Sequence, residues 1–515
     1  MRIEDFAFEL SSLPGAMPVW RGCVDATQWR MGAQQVREKG GRLVALWAAD
    51  QTDRGRGYEV HMALTVRSGL VWLTLRASAE RPEFPDISDV FPAALRMQRA
   101  AFDLLGVRAA GAGDERPWLR HAAWPSSRFP LRKGVDPAAV FPTAADDYAF
   151  VPVSGEGVHE IPVGPVHAGT IEPGHFRFSV VGERVLRLEE RLGYTHKGIE
   201  KRFESMGLLE AVRLAGRVSG DSTVAYAWAY SMAAEGATFF TPPERALWLR
   251  ALLLERERIA NHLGDLGFLG NDAGFAFGLA QFGRLKEDLL RSNRTLFGHR
   301  YLMDVVVPGG VARDLDRDGL KAVRAQIQTL QAEVRRLKHV YDEHPGLQDR
   351  FIGAGRVLPE LADKLGLCGL AGRASGLSWD LRVQFAPVPY DGLEVRMATH
   401  RNGDVAARVT VRFEEVLESL EISNAILDHL PQSEVFVAPP TANDGSLGLG
   451  WVEGWRGEVL VALECGAHGT LRRVHPHDPS WQNWPVLEHA VIGNIVPDFP
   501  LINKSFNLSY SGVDL

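Results

Sequence analysis

The sequence predicts an α+β protein: a small N-terminal α/β domain over residues 1–145, then a larger domain over residues 150–515, dominated by a helix bundle with β-hairpins at its periphery. Three observations carry that expectation. At 515 residues the chain is longer than one hydrophobic core usually serves. Before Pro92, apolar residues alternate with a period of two, which marks strands with one buried face. After Trp248 they recur at three- and four-residue spacing, which marks helices burying one stripe.

Taken in order, residues 43–47 form an unbroken apolar run and residues 58–66 alternate, so both predict strands. Residues 70–76 predict a third strand after the turn Arg67-Ser68-Gly69, and a short helix follows over residues 92–105. A basic stretch rich in tryptophan and proline, from Arg116 to Lys133, leads into a linker marked by Pro137 and Pro142 that runs to Tyr148. The second domain opens on a hairpin: Phe176, Phe178 and Val180 alternate, Gly182-Glu183 turns the chain, and residues 185–188 return. Trp248, Leu252, Ile259, Leu263 and Leu266 make the first helical stripe. Leu320, Val323, Ile327, Leu330, Val334 and Leu337 make the second, and Val409, Phe413, Val416, Leu420, Leu427 and Leu430 the third. Residues 459–463 and 470–474 predict a last hairpin before an apolar, proline-broken tail over residues 494–502.

A formal charge of −7 and the lack of any Lys/Arg-rich block argue against a nucleic-acid partner. No apolar run approaches the roughly 18 residues of a membrane span, and the first residues lack the pattern of a signal peptide. Any membrane role is therefore expected to be peripheral, through partner subunits. Cys23, Cys368 and Cys465 lie far apart and form no C-x-x-C pair, so no zinc or iron–sulfur site is expected within the chain. They read as buried or idle thiols.

Several segments carry a resemblance. In the N-terminal part they are residues 103–106, Asp114, Arg116, Trp124 and residues 130–133. In the larger part they are Gly164-Pro165-Val166-His167, Glu172-Pro173-Gly174-His175-Phe176, residues 192–201 and residues 257–263. With these residues the chain resembles a fusion of the complex I 30 kDa subunit with the complex I 49 kDa subunit, a relative of nickel–iron hydrogenase large subunits. Those hydrogenases hold their metals with the motifs R-x-C-G-x-C and D-P-C-x-x-C. The matching segments here are residues 217–222 and the tail, and the four thiolate positions fall on Ser219, Ser222, Ser509 and Gly512. A soft metal centre needs thiolates, so no metal is expected at this site. The complex I relatives also carry a tyrosine near the quinone headgroup, and that position falls on Gly220. The histidine that pairs with it there has no secure counterpart.

The candidate catalytic residues are His167, His175, Glu200, Arg217 and Asp221. His167 and His175 flank a Gly/Pro-rich loop; they read either as a proton relay or as surface and capping histidines. The resemblance places Glu200 on a proton path out of the cavity, where desolvation would raise its pKa; a solvated charged helix face is the alternative. Arg217 and Asp221 bracket the former ligands and could pair in the space of the lost metal, against plain packing after loss of function. Glu255, on the first stripe, needs a partner if buried, and Arg256 or Arg258 could supply it. His475-Pro476-His477-Asp478 reads as a loop rather than a metal site.

The resemblance implies an oxidoreductase subunit at the cytoplasmic face of the cell membrane. Its implied partners are an iron–sulfur small subunit, which would hold the cluster, a ferredoxin-like subunit and membrane antiporter-like subunits. This chain would hold no cofactor of its own, with quinone a candidate acceptor in a remodelled cavity. The alternative is a non-catalytic coupling scaffold with a filled-in site. A continuous cavity between the Ser219–Ser222 loop and the tail would favour the first reading, collapsed packing the second.

Overall fold

Residues 43–47 read as an unbroken apolar run because the strand they belong to, Leu43–Asp50, is buried along its whole length. It closes one edge of a five-stranded sheet in the order Ser11–Leu13, Val19–Val24, Gly69–Ala77, Tyr58–Val66, Leu43–Asp50. The helix Ala94–Leu105 packs on it, and the strands Glu458–Cys465 and Leu471–His477 approach it from the second part of the chain. Val19–Val24 and Gly69–Ala77 pair in parallel, so the chain crosses over through the helix Ala26–Glu38. That helix opens on a capping box: Asp25 accepts from the Gln28 amide at 2.8 Å, and Gln28 accepts from the Asp25 amide at 3.1 Å. The computed structural model describes residues 8–146, 148–167 and 171–515.

In the second part, the expected hairpin His175–Val181 and Arg184–Arg191 gains a third strand, Val158–Val163, to make an antiparallel sheet. The helices Thr223–Ala237, Glu244–Asp272, Ala276–Phe297, Arg317–Glu343 and Val405–His429 form the central bundle. On Arg317–Glu343 the buried side is the stripe Val323, Ile327, Leu330, Val334 and Leu337, with a polar face left to solvent. Glu244–Asp272 is buried nearly all round and carries charged side chains inside. Glu255 has no exposed surface and is fully satisfied: Arg382 at 3.1 Å, Arg258 at 3.3 Å, the Ser419 hydroxyl at 2.6 Å and the Tyr390 hydroxyl at 2.6 Å. Arg256 turns the other way, to Asn293 at 2.7 Å. Burial pushes the Glu255 carboxyl up, but the charges of Arg382 and Arg258 prevail and hold it below its ordinary value.

A third sheet, Leu447–Glu453, Glu458–Cys465 and Leu471–His477, lies against Thr223–Ala237. The contact depends on two glycines on one face of the first strand. A Cβ at Gly448 would stand 1.8 Å from the Ala233 carbonyl oxygen, and one at Gly450 would stand 1.8 Å from that of Ala229. Without those carbons the strand lies directly on the helix backbone. His475-Pro476-His477, expected as a loop, is the end of Leu471–His477; an edge strand tolerates the proline, which cannot donate to a ladder. The hydrophobic core runs without a break from the first sheet into the bundle. Among the described residues no helix is long and apolar enough to cross a membrane.

Candidate functional site

The loop holding residues 217–222 leads into the helix Thr223–Ala237, whose cap residue is Ser222. The tail reaches it from the other end of the chain. The helix Phe499–Phe506 stops at Asn507 in a left-handed conformation, and residues 508–515 are buried, ending in the short helix Ser511–Asp514. The Ser480 hydroxyl accepts from the Ser509 amide at 2.9 Å, while the Trp484 indole donates to the Ser509 carbonyl at 3.0 Å. These bonds place the Ser509 hydroxyl 2.9 Å from that of Ser219, so the two former metal motifs touch.

Their polarity runs one way. The Gly512 amide donates to Ser509 Oγ at 2.9 Å, and Ser219 Oγ donates its single hydrogen to Asp221 Oδ1 at 2.8 Å, which leaves Ser509 Oγ as the donor between the two serines. Asp221 completes the chain by pairing with both terminal nitrogens of Arg456, one at 2.9 Å. Arg456 also donates to Ser222 Oγ at 3.2 Å and to the Asn507 carbonyl, and it lies over the Trp455 ring at 4.0 Å. Burial alone would raise the Asp221 carboxyl, but the Arg456 charge and hydrogen bonds, with those of Ser219 and Ser222, outweigh it and hold it at about 2. The Asp221 side chain nevertheless keeps 36% of its surface open, against 5% for Arg456.

On the far side Asp478 takes the room that a side chain at position 512 would need. A Cβ on Gly512 would stand 2.5 Å from Asp478 Oδ2. That oxygen accepts from the Tyr226 hydroxyl at 2.8 Å, and Oδ1 accepts from the Ser480 amide at 2.8 Å. A nickel–iron pair does not fit these residues. Three of its ligand positions are serines, the fourth has no side chain, and a guanidinium and a carboxylate fill the space between. Among the described residues no three His, Cys, Asp or Glu side chains are placed to hold a metal ion.

Of the expected residues, Asp221, Ser219, Ser222, Ser509 and Gly512 converge here. Arg217 does not: its exposed side chain pairs with Asp304 at 2.7 and 2.8 Å, so the cation opposite Asp221 is Arg456. His167 and His175 brace the two ends of their loop, reaching the carbonyls of Gly174 at 2.9 Å and Gly164 at 3.2 Å. Residues 168–170 of that loop lie outside the described residues. Glu172 joins the loop to the tail by accepting from the Ser511 amide at 3.1 Å. Glu200 lies elsewhere, at the seam with the first sheet, paired with Arg473 at 2.7 Å and His475 at 2.8 Å. Its carboxyl sits at about 2 rather than above the ordinary range; burial raises it, but the Arg473 charge and the bonds from His475 and Arg473 outweigh the burial.

Arg456, Asp478, Tyr226 and Glu257 belong to the site and were not expected. Glu257 caps the helix Thr223–Ala237 from its neighbour, accepting from the amides of Val224 at 2.7 Å and Ala225 at 3.2 Å. Burial raises its carboxyl to about 8 in spite of those bonds. The available signal for Arg456 was a charged residue in the turn Gly454-Trp455-Arg456-Gly457; for Asp478 it was the sequence Asp478-Pro479-Ser480, where an aspartate bonds the backbone two residues on.

Comparison with known proteins agrees with this architecture. Residues 23–139 match the family described as respiratory-chain NADH dehydrogenase, 30 Kd subunit, and residues 272–444 match the 49 Kd subunit family. Formate hydrogenlyase subunit 5 of Escherichia coli K12 is 34% identical over 93% of this chain and 85% of its own length. Hydrogenase-4 component G of the same organism is 31% identical over 92% of this chain and 84% of its own. The C/D subunit of the NADH-quinone oxidoreductase of Phocaeicola vulgatus is 28% identical over 82% of this chain and 85% of its own. A chain in the structure of the membrane-bound sulfane sulfur reductase, an archaeal respiratory membrane complex, superposes with a TM-score of 0.66 at 26% identity, covering 71% of this chain and all of its own.

Proposed function

The chain belongs to the family in which complex I 30 kDa-type and 49 kDa-type domains are fused, alongside formate hydrogenlyase subunit 5 and hydrogenase-4 component G, and from that premise we propose that it is the large subunit of a membrane-associated oxidoreductase complex working without a nickel–iron centre. Its place is peripheral, at the cytoplasmic face, beside an iron–sulfur small subunit and a ferredoxin-like subunit and above antiporter-like membrane subunits. Electrons from the partner's cluster reduce a quinone or another small acceptor at the open edge of Asp221, and protons move through this chain. One observation supports that edge: Asp221 is the ionised partner of buried Arg456 and still exposes 36% of its side chain.

A second reading has its own support. The 2.9 Å contact between Ser219 and Ser509 takes up room between the two segments that an acceptor would need, which favours a coupling scaffold. Purifying the native complex and following reoxidation of its reduced clusters separates the two. Under the first reading a short-chain quinone or a sulfur acceptor reoxidises the clusters, and Asp221→Leu slows this at least tenfold. Acceptor-independent clusters, with ion movement intact, would leave the scaffold.

A further inference from the structure

A small chamber of about 30 Å3 lies at the seam between the first sheet and the second part of the chain. Its walls are mostly apolar, including Leu46, Met97, Leu104 and Leu131, but Glu200, His475 and His477 also face it. His475 Nε2 and His477 Nδ1 are buried and have no hydrogen-bond partner among the described residues. Two orphaned buried nitrogens beside one cavity call for an occupant, since a buried polar atom left unmet forfeits the hydrogen bond it had with water.

The partners of the other two ring nitrogens fix which hydrogens are present. His475 Nδ1 meets Glu200 Oε1 at 2.8 Å, and that oxygen belongs to an ionised carboxylate already paired with Arg473, so Nδ1 carries the proton and donates. His475 Nε2 is therefore a bare acceptor. Gln482 donates from its amide nitrogen to the Val44 carbonyl at 2.5 Å, which turns its oxygen toward His477 Nε2 at 3.1 Å. His477 Nε2 thus carries the proton and Nδ1 is a second bare acceptor. Burial depresses both imidazoles, His477 to about 3, which agrees with neutral rings. The ring centres stand 6.0 Å apart, a span that one bridging oxygen can close.

We infer that the chamber binds one water molecule, which donates a hydrogen to His475 Nε2 and the other to His477 Nδ1. Water is the smallest neutral molecule with two donors, and the chamber is large enough for one. An ammonium ion has donors too, but it would bring a second buried cation beside Arg473. With the water in place, Glu200, His475, the water, His477 and Gln482 form one chain from the helix Ile199–Phe203 to the Val44 carbonyl of the first sheet. The Glu200–His475–water order is that of a carboxylate orienting an imidazole whose free nitrogen accepts from water. The chain is a neutral hydrogen-bonded tie across the seam, and it stands independently of the function proposed above.

The test is made on the intact complex carrying 15N-labelled histidine, together with a high-resolution structure of it. We expect His475 protonated at Nδ1, His477 at Nε2, and one ordered water within about 3 Å of both free nitrogens. The variant His477→Leu, close to histidine in volume and lacking the Nδ1 acceptor along with the Nε2 donor, should lose that water while His475 keeps its Nδ1 proton. Either histidine in the opposite tautomer, or a wild-type chamber that is dry or filled by side chains, overturns the inference. None of these readouts needs turnover, so their failure leaves the acceptor reading standing, and an acceptor that cannot be found leaves the water standing.

Discussion

Gly512→Ala is expected to loosen the C-terminal tail. The added methyl group would lie 2.5 Å from Asp478 Oδ2 and 2.6 Å from its Cγ, where ordinary contact begins near 3.4 Å. Asp478 is held on the other side by the Tyr226 hydroxyl and the Ser480 amide, each at 2.8 Å, so it cannot retreat without losing a bond. Overpacking of this kind costs about 1–3 kcal/mol, and a lost hydrogen bond about 1 kcal/mol. The gain from replacing glycine in a helix returns at most about 1 kcal/mol, for a net loss of about 2 kcal/mol. The assay is amide hydrogen exchange at Gly193 and Thr195, whose N–H groups are held by the Asp514 side chain at 2.6 and 2.8 Å. A loss of that size makes tail-limited exchange roughly 30-fold faster. In an Asp478→Ala background the same substitution should be nearly silent, a coupling of about 2 kcal/mol. Unchanged exchange in Gly512→Ala, or equal effects in both backgrounds, would refute the packing argument.

Glu200→Gln should destabilise the protein by about 3 kcal/mol at neutral pH, the worth of a carboxyl held at about 2 instead of 4.5. Because the folded pKa is depressed, that stability is present above pH 4.5 and is lost as pH falls toward 2, so the gap to wild type measured by denaturant unfolding should narrow on acidification. Arg456→Met strands Asp221, and with a third of that side chain open to water the cost should be nearer 2 kcal/mol than the 3–5 of a fully buried pair, read as a fall in denaturation midpoint at pH 7. Restoring Ser219→Cys, Ser222→Cys, Ser509→Cys and Gly512→Cys together should still give no stoichiometric nickel by metal analysis, because Arg456 and Asp478 fill the site. Phe239→Gly should stabilise by roughly 0.5–1 kcal/mol in thermal unfolding, since Phe239 is 76% exposed and held at a φ of +56°.

The strand at 58–66 and the helix Arg317–Glu343 were legible because their apolar residues recur at the period of the element, which leaves a contrast along the sequence, and the strand at 70–76 because a turn, Arg67-Ser68-Gly69, sets it off. Thr223–Ala237 was not legible: every residue in it is buried, so no stripe distinguishes it. Ala276–Phe297 and the strands Val158–Val163 and Leu447–Glu453 were missed as well; the last carries Gly448 and Gly450, a pattern that reads as a turn until its helix partner is known. The meeting of the two former metal motifs could be expected from the motifs themselves. The cation opposite Asp221 could not, because Arg456 lies 235 residues away and only the fold chooses it over Arg217.

The glycine-matched contact between Leu447–Glu453 and Thr223–Ala237 has a mechanical consequence. Backbone pressed on backbone leaves no flexible side chain to take up a shift, so helix and strand form a single stiff lever. At one end it carries Asp221 and Arg456, on the loops just before the helix and just after the strand. At the other, about 22 Å along the 15-residue helix, it meets the end of a groove lined there by Glu235, Gly236 and exposed Phe239. A nudge to the ion pair is therefore delivered at that distant groove rather than absorbed where it starts.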